Sequence, residues 1–247
     1  MMHDAKIMLK KLIKNNNFIF NIFQKIRFLF NKILRPKAIY YLLNSKTPLS
    51  NVYGLDRGTP IDRYYIESFL SSNKGLIKGS CLELLNNNYT NKFGEGEVSK
   101  SDILDIDQNN HQATIYGDLR NLYNMADNQY DCIILTQVFQ FIDDVPAAIK
   151  ECYRILKSGG ALLITVPALG RVDCVGGIDG DYWRFTRASL AYLLKQSFPE
   201  NNLTINSLGN VLASVNFLIG ASFEESKLNT NFNDDNFPLI ITAIAKK

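Results

Sequence analysis

Histidine and cysteine are scarce in this chain of 247 residues: His3 and His111 are the two histidines, and the four cysteines stand at 81, 132, 152 and 174. No cysteines form a C-x-x-C pair and no ligand types cluster, which argues against a zinc ribbon, an iron–sulfur centre or a disulfide scaffold. Metal-independent chemistry is expected, with no metal ligands to name. With 15 Gly and 7 Pro the sequence is neither collagen-like nor low in complexity. Long uninterrupted apolar runs are missing from the basic N-terminal stretch too, where Ile7–Leu9, Phe18–Phe20 and Phe28–Phe30 are broken up by charges. That pattern suits neither a signal peptide nor a membrane span, and a cytoplasmic protein is expected.

The formal net charge of +3 conceals an asymmetry. Eight Lys and two Arg against Asp4 give residues 1–46 a charge of +9, which leaves −6 for the other 201 residues. A mildly acidic body speaks against nucleic acid as its partner, and any attraction to phosphate or anionic lipid belongs to the arm. Within the arm, Ile19, Ile22, Phe23, Ile26, Phe30, Ile33 and Leu34 recur at helical steps up to Pro36. This predicts a basic amphipathic helix over about residues 18–35. Its apolar stripe would pack on the protein's own core, form a dimer contact, or lie peripherally on the inner face of a membrane. The expected organisation is an arm at 1–50 and a body at 51–247.

The body begins with a turn-rich loop, Gly54–Pro60, and a helix over Ile61–Leu70. Strands are expected at Ser80–Leu85, Glu97–Ser101, Ala113–Tyr116, Asp131–Thr136, Ala161–Val166, Leu203–Leu208 and Leu239–Ala245. The fourth and fifth are continuously apolar, as strands covered on both faces should be, so a parallel central sheet is indicated. Between them Asp143 or Asp144 can cap a helix with Pro146 in its first turn and an apolar face of Val145, Ala148, Ile149, Cys152, Ile155 and Leu156. Ser158-Gly159-Gly160 is expected to close that helix. The fold class is therefore α/β, a Rossmann-like doubly wound sheet.

In such sheets ligands lie beyond the carboxyl ends of the strands, at the switch point of the strand order. The candidate positions are the segment from Leu85 after the first strand, Asp102 after the second, Asp118 and Leu119 after the third, and Gln137–Gln140 after the fourth. Asp102 stands nineteen residues beyond Glu83, about where a carboxylate reaches a ribose. Each acid alone would equally serve as a helix cap or a solvated loop residue. His111, in a polar stretch, reads as a loop residue, while Asp56, Arg57 and Arg63 either fold over the ligand or make a structural pair. A nicotinamide enzyme is disfavoured because no Gly-x-Gly-x-x-Gly follows the first strand.

Three stretches in order, Tyr116-Gly-Asp-Leu119, Gln129–Asp143 and Cys152–Pro167, resemble class I S-adenosylmethionine-dependent methyltransferases of the type 11 group. The resemblance runs from about residue 52 to 220. It implies a seven-stranded, mostly parallel sheet whose last strand is antiparallel, and S-adenosylmethionine as cofactor. It implies Asp118 and Leu119 beside adenine, Asp102 near the ribose, and Thr136, Gln137 and Gln140 along the methionine end, with Glu83, Leu85 and Asn87 on the loop after the first strand. That loop departs from the family pattern Glu-x-Gly-x-Gly: Leu85 and Asn87 stand where the glycines would be. A left-handed Leu there would cost about 1–2 kcal/mol.

Methyl transfer to a hydroxyl needs alignment and a base. Asp181, in Asp181-Tyr-Trp-Arg-Phe-Thr186, is the expected base, with Trp183 as a stacking platform and Arg184 as a donor to the substrate. Alternatively Trp183 and Phe185 anchor a lid and Arg184 pairs with an acid. That stretch resembles a segment of methyltransferases linked to cell-surface glycans, which implies a small-molecule or sugar acceptor. The competing expectation is a catalytically inactive, cofactor-binding partner subunit.

Overall fold

The computed structural model describes residues 44–173, 180–226, 228 and 230–247. The amphipathic stretch 18–35 lies outside the described residues. The compact unit Pro48–Lys247 holds every element named below.

Seven strands form one sheet: β1 (Gly79–Leu84), β2 (Val98–Asp105), β3 (Ile115–Tyr116), β4 (Tyr130–Thr136), β5 (Leu156–Pro167), β6 (Leu203–Leu208) and β7 (Ile240–Lys246). Their order is β3-β2-β1-β4-β5-β7-β6. The pairs from β3 through β5 are parallel, and β7 runs antiparallel to both β5 and β6. The expected last strand is thus present in the expected sense. Among the described residues, five α-helices flank the sheet: α1 (Ile61–Ser72), α2 (Asn88–Phe93), α3 (Val145–Ile155), α4 (Arg187–Leu194) and α5 (Val211–Leu218).

Period-two alternation divides the central strands between two cores. Leu82, Ile133, Leu135, Leu162 and Ile164 face α3 and α4, whereas Cys81, Cys132, Ile134 and Leu163 face α1, α2 and α5. Both faces of β4 and β5 are buried, which is why those strands read as unbroken apolar runs. On α1 the residues Ile61, Tyr65, Ile66, Phe69 and Leu70 form the buried stripe. On α3 the Asp144 carboxylate accepts from the Ala147 N–H at 3.0 Å and so caps the helix, with Pro146 in its first turn.

Two expectations are corrected. The glycines 159 and 160 do not close α3; the chain turns extended at Leu156, and both glycines belong to the irregular entry of β5, where the register against β4 shifts. Gly159 takes φ 77°, and a Cβ on Gly160 would approach the Lys157 carbonyl oxygen to 2.9 Å, so this entry needs glycine. The second strand also runs on past Ser101 to Asp105, burying Ile103 and Leu104. Among the described residues no helix is long and apolar enough to cross a membrane.

Leu162 is fully buried in the sheet, so Leu162→Ala should lower the unfolding free energy by about 2–5 kcal/mol. Asp144→Ala should cost only about 1 kcal/mol through loss of the cap. Urea denaturation followed by circular dichroism checks this ranking, and equal costs would contradict it.

Candidate functional site at the strand ends

The order β2-β1-β4-β5 places the reversal of crossover direction between β1 and β4, and a crevice opens at their carboxyl ends. A cavity of about 620 Å³ occupies it, the size of a cleft for a nucleoside-sized ligand. Its walls come from the first turn of α1, the loop after β1, and the ends of β2, β3 and β4.

Glu83, at the end of β1, reaches under the loop: its carboxylate accepts from the Tyr89 N–H (3.2 Å), the Thr90 N–H (2.8 Å) and the Thr90 hydroxyl (2.8 Å). Burial raises its carboxyl, and these hydrogen bonds oppose the shift. Glu83 therefore ties β1 to α2 at the cavity floor. Leu85 holds φ 68°, the conformation suited to a glycine, and its side chain is 60% exposed at the cavity wall. Asn87 has φ −115° and needs no glycine; it faces Ser101 and Asn91, away from the cavity.

The second strand requires a further correction. Asp102 does not reach the cavity; it is buried within β2, where it accepts from Lys100 Nζ (2.6 Å) and the Tyr130 hydroxyl (2.8 Å). Burial, and then that contact with Asp102, push the Tyr130 phenol well up. The acid at the strand's end is Asp105, which lines the cavity and accepts from Asn110 Nδ2 (2.7 Å) and the Asp107 N–H (2.9 Å). After β3, Asp118 and Leu119 line the cavity. Arg120 clamps Asp118 (2.6 Å) and also Asp143 (2.6 Å), and this guanidinium holds both carboxyls below the usual range. Thr136 and Gln137 line the wall after β4, Gln137 with φ 55°.

A side pocket of about 140 Å³ adjoins the cavity, and the two share Tyr53, Asp62, Gln137 and Phe141. Gln140, Asp181 and Arg184 line this pocket and not the larger cavity. Both oxygens of Asp181 meet Arg184 (2.6 and 2.8 Å), one also accepting from the Asp173 N–H (2.8 Å), and Arg184 pulls the Asp181 carboxyl down. So engaged, Asp181 is poorly suited to take a proton. Trp183 lines neither space; its indole N–H donates to the Ile142 carbonyl at 2.8 Å, which anchors the segment, while Phe185 is buried. Tyr53 walls the pocket, stacked on Phe217 with ring centroids 5.7 Å apart and with the Arg171 guanidinium 4.2 Å over its ring.

Residues 78–164 match the family model described as a methyltransferase domain. The sheet has the fold of class I S-adenosylmethionine-dependent methyltransferases. A SAM-dependent methyltransferase from Archaeoglobus fulgidus is similar over 75% of this chain and 94% of its own, with 15% identity and a TM-score of 0.52. A phosphoethanolamine N-methyltransferase from Haemonchus contortus is similar over 83% of this chain and 55% of its own, with 14% identity and a TM-score of 0.50. No curated protein matches the chain.

Against this methyltransferase fold, the wall residues missed by sequence reasoning are Tyr53, Asp62, Asp105 and Arg120. Asp105 carried a signal, since it ends a stretch whose Ile103 and Leu104 extend the strand. Arg57 and Asp56 prove structural, bonded to Glu225 and Ser50, while Arg63 lines the cavity. Asp62 accepts the Arg63 N–H at 2.8 Å, and the surrounding walls push its carboxyl above the ordinary value of 3.8. The folded protein then keeps this proton over a pH range in which the unfolded chain loses it, so stability falls as pH rises through that range. Asp62→Asn should therefore melt higher than the wild type near neutral pH, the gap narrowing as pH falls toward 3.8 and vanishing below it. Thermal melts at several pH values check this; an unchanged or lower neutral melting temperature would contradict it.

Proposed function

We propose that the protein is an S-adenosylmethionine-dependent methyltransferase acting on a polar small molecule or on a sugar hydroxyl of a cell-surface glycan. The observation that carries this reading is the cavity at the ends of β1, β2, β3 and β4, whose side chains suit the cofactor. Asp105 offers carboxylate oxygens for ribose hydroxyls, and Asp118 with Leu119 offers a polar and an apolar contact for an adenine edge. The Leu85 backbone keeps the left-handed turn that the absent glycine would take, at a cost of about 1–2 kcal/mol. The Haemonchus contortus methyltransferase of this fold was crystallised with S-adenosylhomocysteine. The cofactor supplies an electrophilic methyl group on a positively charged sulfur.

The side pocket supports the polar acceptor. Arg171, Asp173, Asp181 and Arg184 line it, and the buried Gln140 Oε1 and Arg184 Nε have no hydrogen-bond partner among the described residues. A hydroxyl donates and accepts at once, so it matches a wall of mixed donors and acceptors.

Calorimetry with S-adenosylmethionine and S-adenosylhomocysteine tests the reading, with micromolar dissociation constants expected. At about 100-fold excess over the dissociation constant, ligand should add about 2.7 kcal/mol, or about 5–10 °C in melting temperature. Asp105→Ala and Asp118→Ala should shrink the ligand-induced shift, and Asp102→Ala should leave it in place. Absence of binding by either ligand would overturn the reading.

A further inference from the structure

Seven carboxylates line the cavity and its side pocket, and most are already engaged. Glu83 accepts three hydrogen bonds from α2, and Asp105 accepts on both oxygens. Asp118 and Asp143 share Arg120, Asp181 is paired with Arg184, and Asp173 accepts from the Tyr53 hydroxyl at 2.9 Å. Asp62 differs. Its Oδ1 accepts the neighbouring Arg63 N–H, and among the described residues its Oδ2 has no hydrogen bond and the carboxylate no ion pair.

The position of Asp62 matters as much as its lack of a partner. It stands in the first turn of α1, which packs on β1, β4 and β5 from one face. It is also one of the four residues common to the cavity and the side pocket. Asp105 and Asp118 lie at the β2 and β3 ends of the cavity, so Asp62 marks the other half, where the cavity meets the pocket read as the acceptor's. A carboxylate without a counterion between walls such as Tyr53, Ile66 and Phe141 is costly unless a cation comes to it. The cationic side chains nearby form no ion pair with it: Arg120, Arg171 and Arg184 are engaged elsewhere, and Arg63 gives Asp62 its N–H and a through-space attraction only.

We propose that Asp62 supplies the countercharge that makes the cavity favour a sulfonium over a neutral thioether, so that S-adenosylmethionine is retained and S-adenosylhomocysteine is released. The proposal rests on the reading of the cavity as the site of that cofactor. The two ligands share the adenosine and the amino-acid groups and differ in the charge on sulfur, so a contact common to both cannot separate them. A fixed carboxylate in a partly desolvated site can, because attraction to the sulfonium is strengthened there and the thioether has none.

Calorimetry on the full chain with each ligand separately, for the wild type and Asp62→Asn, tests this. The substitution should weaken S-adenosylmethionine at least tenfold, about 1.4 kcal/mol, while changing S-adenosylhomocysteine less than about twofold. Melting of the unliganded variant at or above the wild-type temperature establishes that it is folded. Equal weakening of both ligands would place a shared group, such as the amino group, at Asp62 and overturn the proposal, as would no change in either. If the wild type binds neither ligand, the reading of the cavity itself falls; if it binds both and the ratio is unmoved, the countercharge alone falls.

Discussion

The parallel pairing of β1 with β4 is the constraint on which the rest of the structure depends. Strands β2 and β3 extend from one side of that pair and β5 from the other. The right-handedness of parallel crossovers then sends the connecting segments to opposite faces of the sheet. No connection can fill the space above the carboxyl ends of β1 and β4, so a crevice is built into the topology. The two cores hold this arrangement rigid: alternating residues of β4 and β5 are buried against α3 and α4 on one face and against α1 and α5 on the other.

What topology opens, a few polar contacts shape. Glu83 draws the start of α2 down to the end of β1, and Arg120 binds the segment after β3 to the start of the α3 region through Asp118 and Asp143. Arg184 and Asp181 organise the segment after β5, with Trp183 fastened to Ile142. Most acids around the cavity thus have structural work: arginines hold Asp118, Asp143 and Asp181, and hydrogen bonds hold Glu83, Asp105 and Asp173. Asp62 stands out because, among the described residues, its carboxylate has one hydrogen bond and no ion pair within the same walls, and a weakly engaged acid in a cleft marks a place where binding can be selective.

The central strands and α3 were legible because their physics is local and redundant: continuous apolar runs for β4 and β5, and an Asp cap, a first-turn Pro and one apolar stripe for α3. Strand β2 was legible only in part. Lys100 and Asp102 look like the polar end of a strand, but Asp102 is buried against the Tyr130 hydroxyl 28 residues away, a tertiary contact that a local pattern does not contain. The same limit applies to the site. Leu85, Asp118, Leu119 and Gln137 fall on the cavity wall because strand ends could be counted from the sequence, and Glu83 and Thr136 were added by the family resemblance. Asp181 could not be separated from its pairing with Arg184, and the expectation that the region before the first strand could fold over the ligand named Arg63 but not Tyr53 or Asp62.

Amide hydrogen exchange with and without saturating S-adenosylhomocysteine tests most directly the claim that the strand ends form the cofactor site. Exchange should slow in the loop after β1 at residues 85–89, after β2 at 105–107, after β3 at 117–121 and after β4 at 137–142. The opposite end of the sheet, around residues 200–204, should be unchanged. Protection confined to that opposite end, or none at the strand ends under conditions where the ligand is bound, would contradict it.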